Sequence, residues 1–218
     1  FRGAGIKASD YIKRSAYGHH KALGQLVYTG GNPKFLLGSA EGDKRHSSCH
    51  RFPFLTVASP SVRGEIERFV RPRLEDERLP RKLSYWSMTD LSPVDRPLLV
   101  ERHLISREHA QGEGGRGVAV GDESISIMVN EEDQLRRQAI RSGLQLDEAD
   151  EEVDRMDSAL EGGLHFAFSP RFGYLTACPT NVGTGLRISV MMNLPAAVLS
   201  KQMDKVLQSL QRLNYTVR

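Results

Sequence analysis

Apolar residues along this chain recur at helical spacing in some stretches and at strand spacing, or as short runs, in others. From Val62 to Arg71, the residues Ile66, Phe69 and Val70 fall on one helical face at i, i+3, i+4. Ser59 supplies an N-cap and Pro60 suits a first turn, so a helix is expected there, ended by Pro72. Glu131, Glu132 and Asp133 suit the positive end of a helix dipole, which predicts a helix over Asp133–Arg141. Another is expected over Asp147–Leu160, stopped by Gly162 and Gly163. Pro195 opens the last, to about Leu213, with Leu199, Met203, Val206 and Leu210 on one face.

Strand patterns lie between these. Ser84–Met88, Ser124–Val129, His165–Ser169, Tyr174–Ala177 and Leu186–Asn193 read as strands, and Tyr215–Arg218 as the start of another. Leu98–Ile105 also reads as a strand, interrupted by Glu101, Arg102 and His103. Residues 1–51 have weak periodicity and no core face: Tyr11–Leu23 is a candidate helix, Gln25–Tyr28 a candidate strand, and Gly30–His50 a loop. The texture changes at Phe52, so residues 1–51 are expected to be an unmatched segment, frameshifted or foreign, ahead of a folded part at 52–218. Strands that follow one another through short links pair antiparallel. The expected fold class is therefore α+β, an antiparallel β-sheet flanked by helices.

At 218 residues, with 39% hydrophobic and 26% charged, the composition excludes disordered and fibrous classes. No apolar run approaches the roughly 20 residues of a membrane helix. No basic start followed by an apolar run marks a secretory signal. Two cysteines, Cys49 and Cys178, cannot make a disulfide framework, which points to a reducing cytoplasm. The net charge is +3, yet residues 1–50 hold eight Lys and Arg against three acids, leaving about −2 on the remainder. A basic excess confined to the least regular part of the chain argues against a nucleic-acid partner. The first residue is Phe1 rather than Met, as in a sequence that begins inside a gene.

Gly112 to Gly117 reads G-x-G-x-x-G, but a dinucleotide site needs that loop between a strand and a helix, and here it leads into a strand. The phosphate loop G-x-x-x-x-G-K-[ST] and the zinc pattern H-E-x-x-H do not occur. His46, Cys49 and His50 lack partner cysteines at zinc spacing, so no metal site is expected.

Two segments remain. One is Val129-Asn130-Glu131-Glu132-Asp133-Gln134-Leu135-Arg136; the other is Cys178-Pro179-Thr180-Asn181-Val182-Gly183-Thr184-Gly185-Leu186-Arg187. Both resemble the signature segments of the phosphagen, or guanidino, kinases, whose usual forms are N-E-E-D-H-x-R and C-P-[ST]-N-x-G-T-x-x-R. The flanking runs Leu99–Ser106, Gly173–Thr176 and Gly185–Pro195 look closer still to the bacterial protein-arginine kinases. The resemblance covers about 52–218 and implies part of a guanidino-kinase catalytic domain.

It implies an ATP-dependent enzyme that moves the γ-phosphoryl group to the guanidinium of arginine residues in proteins. Such a transfer needs the triphosphate charge neutralised and the guanidinium held in line while it loses a proton. Arg136 and Arg187 match the family's phosphate-binding arginines, and planar guanidinium forks suit phosphate oxygens. Glu132 matches the glutamate that grips the substrate guanidinium and accepts its proton. Its bland role would be a carboxylate at a helix start. Glu131 and Asp133 do that structural job, or Asp133 organises contacts around the site. Cys178 matches the family's reactive cysteine, a thiolate beside the guanidinium. His103 matches the histidine that lies against the nucleotide, and Arg187, Ile188, Ser189, Val190 and Met191 line it. Mg2+ is implied as the ion bridging the phosphates. The implied partners are proteins with exposed arginines, an activator, the Clp protease machinery and, in the full-length form, a second copy of the chain. No nucleic acid or membrane partner is expected.

The chain departs from the family at several points. Gln134 replaces the histidine of N-E-E-D-H, for which a tuning effect is expected. Met128 stands where eukaryotic phosphagen kinases carry a tryptophan. Family members carry S-S-R-x-R-x-A-R-N ahead of the Phe-Pro pair, where this chain has His46-Ser47-Ser48-Cys49-His50-Arg51. They also carry an R-G-x-x-G-E-x-x-E loop beyond the position of Arg218. Lacking those groups, the chain is expected to be a poor catalyst or inactive. The alternatives are a kinase of free arginine or another small guanidino compound, and a truncated, non-catalytic nucleotide-binding fragment.

Overall fold

The computed structural model describes residues 25–30, 36–39, 49–143, 145–169, 171, 173–177, 187–213 and 215. Its strands are β1 (Gln25–Gly30), β2 (Leu36–Ser39), β3 (Cys49–Arg51), β4 (Ser84–Ser87), β5 (Gly117–Gly121), β6 (Ile125–Val129), β7 (Leu135–Ser142), β8 (His165–Phe166), β9 (Phe168–Ser169), β10 (Gly173–Tyr174) and β11 (Arg187–Met192). Its helices are α1 (Pro60–Leu74), α2 (Asp95–Glu101), α3 (Arg107–Ala110), α4 (Leu146–Glu161), α5 (Pro195–Leu199) and α6 (Met203–Arg212). A six-stranded sheet runs β11-β1-β7-β6-β5-β4, with every neighbouring pair antiparallel. Two small sheets, β3-β2-β8 and β10-β9, stand beside it. The architecture is the expected α+β class.

β5 and β6 are buried along their whole length because the sheet is covered on both faces. On one face Ala119, Ile125, Ile127, Val129 and Leu135 pack against Ile66, Val70 and Leu74 of α1 and Met156 and Leu160 of α4. On the other, Val118, Val120, Met128 and Ile140 pack against Leu99 of α2 and Leu104 and Ile105 just after it. Each fully buried side chain of this size contributes roughly 1.5–3 kcal/mol. The second face is the one that carries the site.

α1 begins as the sequence predicts: the Ser59 hydroxyl accepts the Val62 N–H at 3.4 Å and Pro60 occupies the first turn. It does not end at Pro72 but continues to Leu74. Pro72 withholds one N–H from the ladder, near the helix end where little is lost. The complete burial of Leu74 holds the last turn down. α4 agrees with expectation to within a residue at each end, burying Ala149, Val153, Met156 and Leu160.

Several expectations are corrected. Asp133–Arg141 is not a helix; Leu135–Ser142 forms β7. Leu135, Arg137 and Ala139 face α4, while Arg136, Gln138 and Ile140 face the other way, a strand alternation disguised by arginines. The disguise works because Arg137 is wholly buried, paired with Asp157 of α4 and lying 5.4 Å from the Phe166 ring. Leu98–Ile105 is not a strand either. Ser92 N–H donates to Asp95 Oδ2 at 3.2 Å and Asp95 N–H to Ser92 Oγ at 3.3 Å, a reciprocal exchange that closes the turn leading into α2, whose first residue is Asp95.

The helix expected from Pro195 to Leu213 breaks at Lys201, whose φ of +54° separates α5 from α6. His165–Ser169 divides into β8 and β9, which join different sheets. The strand expected over Tyr174–Ala177 shortens to β10. The loop expected over Gly30–His50 contains β2 and β3. β1 pairs with both β7 and β11, and β2 with both β3 and β8. The expected helix at Tyr11–Leu23 lies outside the described residues, as do residues 216–218 of the expected last strand.

Candidate active site

The turn between β6 and β7 gathers the first signature segment. Asn130 sits at φ +60°, a left-handed conformation that asparagine tolerates better than most residues. Its N–H donates to the Gln134 carbonyl at 2.9 Å, closing the turn. Its side-chain amide donates to the carbonyls of Arg63, at 2.9 Å, and Gly115. Gln134 is fully buried and donates through Nε2 to the Pro53 carbonyl at 3.0 Å, so the residue that replaces the family histidine ties the turn to the Phe52–Phe54 segment.

Inside this frame the acidic residues take different surroundings. Glu131 is nearly buried. Its Oε1 accepts the Ser106 hydroxyl at 2.8 Å; its Oε2 accepts the Glu132 N–H at 2.8 Å and Arg136 Nη1 at 3.2 Å. Burial acts to raise the Glu131 pKa, but the Arg136 guanidinium and these donors outweigh it and hold the carboxyl below its ordinary value. Ser106 also caps α3, accepting the His109 N–H at 3.0 Å. Glu132, next along, is exposed.

Asp133 is buried and accepts the Ala177 N–H through Oδ1. Its Oδ2 is buried and has no hydrogen-bond partner among the described residues. Burial, then the charges of Glu132 and Glu131, push its pKa up to about 6 against the pull of the Ala177 N–H. His109 is buried as well, with Nε2 donating to the Gly117 carbonyl at 3.0 Å. Burial, as the largest cause, lowers its pKa to about 4 and keeps the ring neutral.

His103 lies in a left-handed turn after α2, at φ +57°, rather than in the expected strand. Gln138 Nε2 donates to its carbonyl at 2.7 Å, and Ser126 Oγ donates to the Leu104 carbonyl at 2.7 Å. The turn is thereby fastened to β7 and β6. Gln138 follows Arg136 by two residues on the same strand face, about 7 Å away. Register position 187 of β11 stands opposite Gly30 of β1, and Gly30 opposite Gln138. Position 187 therefore shares one row of the sheet with the residue that holds His103. Ile188 follows it in β11; Ser189 is half-buried, and Val190 and Met191 are exposed.

Arg136 thus shares one face of β7 with Gln138, which holds the His103 carbonyl; position 187 is in register with Gln138, and Glu132 lies in the turn that opens β7. Cys178 lies outside the described residues, one position after Ala177. The roles of Ser106, Gln138 and His109 were not read from the sequence. Among the described residues, no group of three or more His, Cys, Asp or Glu could hold a metal ion, and no helix is long and apolar enough to cross a membrane.

A family model described as ATP:guanido phosphotransferase, C-terminal catalytic domain, matches residues 65–218. Among relatives, a protein-arginine kinase of Symbiobacterium thermophilum is 51% identical over 140 residues, covering 64% of this chain and 40% of the relative. That of Geobacillus stearothermophilus is 48% identical over 194 residues, covering 87% of this chain and 52% of the relative. The second alignment takes in more of the chain than residues 52–218 can supply. The chain spans about half the length, or less, of these curated relatives. Its fold is similar to the substrate-free duplicated taurocyamine kinase from Schistosoma mansoni, with TM-score 0.64 and 24% identity over 90% of this chain and 27% of that one. It is also similar to lombricine kinase, with TM-score 0.62 and 19% identity over 87% of this chain and 52% of that one. With that family model matched over most of its length and the turn of Glu132 and Arg136 at the head of a shared sheet, the chain belongs to the ATP:guanido phosphotransferase family.

Proposed function

We propose that the chain is the catalytic portion of an ATP-dependent kinase that phosphorylates arginine side chains of proteins. The observation that carries this is the bond from the Ala177 N–H to Asp133, which draws the residue before Cys178 to the turn bearing Glu132 and Arg136. The names of the relatives favour a protein rather than free arginine as acceptor.

Arg136, oriented by Glu131, and Arg187 would neutralise the phosphates. His103 and the run from Ile188 to Met191 would line the nucleotide. Glu132 would hold the substrate guanidinium and take its proton as the nitrogen lone pair forms the new P–N bond; the bond from the γ-phosphorus to the bridging oxygen breaks and ADP leaves. Cys178, as a thiolate, would face the substrate's positive charge. The described carboxylates do not make a magnesium cage, so Mg2+ would arrive on the nucleotide phosphates, where it supplies charge neutralisation. Protein substrates, an activator, the Clp protease machinery, a second copy of the chain and a cytoplasmic setting complete the proposal. His46–Arg51, standing where the family carries arginines, favours one competing reading: a fragment that binds nucleotide without turnover.

The test is incubation with ATP, magnesium and an arginine-rich protein such as casein, with free arginine in parallel, and assay for acid-labile phosphoarginine. Product on casein alone supports the proposal. Product on free arginine alone assigns a small-molecule kinase. Nucleotide binding without either product selects the non-catalytic fragment, and absence of both binding and product removes the nucleotide site altogether.

A further inference from the structure

The Glu131 carboxylate has both oxygens engaged, by donors from different parts of the chain. Its Oε2 accepts Arg136 Nη1 at 3.2 Å and the Glu132 N–H at 2.8 Å, both from its own turn. Its Oε1 accepts the Ser106 hydroxyl at 2.8 Å. The Glu131 side chain is 7% exposed. A carboxylate held at one oxygen can still rotate about its last torsion, which is broad and two-fold. The Ser106 hydroxyl at the other oxygen fixes that torsion, and with it the direction in which Glu131 meets Arg136. An O–H donor to an ionised carboxylate is among the stronger hydrogen bonds, more so where water is scarce.

Ser106 is itself anchored. It lies 25 positions before Glu131, in the link between α2 and α3. That link is bonded to the sheet at two successive carbonyls. Gln138 Nε2 of β7 donates to His103 and Ser126 Oγ of β6 to Leu104, both at 2.7 Å. Leu104 and Ile105 are buried. The Ser106 Oγ also accepts the His109 N–H at 3.0 Å, which caps α3. A fixed hydroxyl therefore aims a buried carboxylate, and the carboxylate aims a guanidinium that is a fifth exposed.

We infer that Ser106 is a positioning residue for phosphate binding: through Glu131 it sets the direction of the Arg136 guanidinium, and it touches no nucleotide itself. The inference rests on the guanidino-kinase reading for what Arg136 meets, an anionic phosphate. The alignment of Arg136 by Ser106 is testable without nucleotide.

Three substitutions separate the two bonds of the hydroxyl. Ser106→Ala removes both. Ser106→Asp keeps an acceptor for the His109 N–H, since aspartate caps helices well, but at neutral pH it offers Glu131 a like charge instead of a proton. Ser106→Thr keeps both bonds. One readout, taken without nucleotide, is hydrogen exchange of the Arg136 side-chain N–H groups by NMR. The other is the pair of dissociation constants for magnesium ATP and for adenosine, which carries base and sugar but no phosphate. Ser106→Ala and Ser106→Asp should each speed Arg136 exchange about tenfold and weaken magnesium ATP about tenfold, the worth of one charge-assisted bond. Adenosine should stay near its parental affinity, and Ser106→Thr should match the parent throughout. In an Arg136→Met background, Ser106→Ala should weaken magnesium ATP no further, because the two residues act in series.

Parental Arg136 exchange in both Ser106→Ala and Ser106→Asp overturns the inference. So does a parental Ser106→Asp beside an impaired Ser106→Ala, which would leave the hydroxyl only its cap. Equal weakening of adenosine and magnesium ATP overturns it as well, since the effect would not then run through the phosphates. Should Ser106→Ala fail to fold, Ser106→Asp and Ser106→Thr decide: fast exchange in the first with parental exchange in the second sustains the inference, and any other pairing sinks it. A chain that binds neither ligand, yet whose Arg136 exchange depends on Ser106, refutes the kinase reading and leaves the alignment. A chain that binds magnesium ATP, with Arg136 exchange indifferent to Ser106, does the reverse.

Discussion

Arg136 Nη1 donates to Glu131 Oε2 at 3.2 Å, across a pair whose carboxylate is almost wholly buried and whose guanidinium is a fifth exposed. The same carboxylate serves Ser106 and the Glu132 N–H. Glu131 and Glu132, neighbours of identical chemistry, are therefore separable by experiment. Glu131→Gln replaces a charged acceptor of three donors by a neutral one and should cost about 2 kcal/mol of stability in urea melts. The Glu131 carboxyl lies below its ordinary pKa, so its contribution is present above about pH 4.3 and is lost as pH falls through its folded value. The Gln variant should lack that acid loss. Glu132→Gln, at an exposed position, should stay within about 0.5 kcal/mol of the parent while lowering phosphoryl transfer by about 10²- to 10⁴-fold. Equal stability losses in the two variants would contradict the division of labour.

Asp133 and His109 push stability in opposite directions over the same pH window. Asp133 titrates at about 6 when folded, above its ordinary 3.8, so the folded state binds more protons between those values and stability falls as pH rises through them. His109 titrates at about 4 when folded, below its ordinary 6.5, so the unfolded state binds more protons there and stability falls as pH drops. Each shift corresponds to about 3 kcal/mol, and the two largely cancel. The parent should show a flat stability profile from pH 4.5 to 6. Asp133→Asn removes one slope, so its denaturant stability should rise with pH over that range and exceed the parent's at pH 8. His109→Asn should show the opposite slope. Parallel profiles in all three proteins would mean that neither group is buried as described.

What was legible in the sequence follows from where the deciding information lies. α1 and α4 were legible because their faces repeat within a dozen residues, and α1 also carries a local cap at Ser59. β7 was not, since its polar look is resolved only by Asp157, which lies in the next helix. The apolar run after Asp95 resembled a strand until the exchange between Ser92 and Asp95 set a helix. Glu132, Arg136 and His103 were singled out through their motifs, but the backbone conformation of His103 was not legible. Its left-handed turn depends on Gln138, 35 positions away. The tie between Asp133 and Ala177 spans 44 positions and leaves no periodic trace.

The buried pair of Arg137 and Asp157 should behave as a unit. Asp157→Ala leaves a wholly buried guanidinium without its counter-ion and should cost about 3–5 kcal/mol. Arg137→Met keeps the contact with Phe166 apolar. Combined with Asp157→Leu it should recover most of that loss, because a well-packed apolar pair avoids the desolvation of two charges. A double-mutant cycle in urea gives the coupling, and strictly additive losses would rule out a direct pair.

Two glycines near the site should respond to alanine with opposite signs. Gly115 has φ +81°, and a Cβ there would come within 2.8 Å of Arg63 Cβ and 2.9 Å of the Arg63 and Gly64 backbone. The backbone cannot yield easily, because the Gly115 and Arg63 carbonyls both accept the Asn130 amide that shapes the turn after β6. Gly115→Ala should cost about 2 kcal/mol or more and loosen that turn. Gly64 lies inside α1 with nothing within 4 Å of a built Cβ. Gly64→Ala should therefore stabilise the chain by about 0.5–1 kcal/mol through helix propensity and a less flexible unfolded state. Thermal melts of both variants decide the matter. A Gly115→Ala protein as stable as the parent would mean that the loop from Gly112 to Gly117 does not press against α1, and the anchor proposed for Asn130 would fall with it.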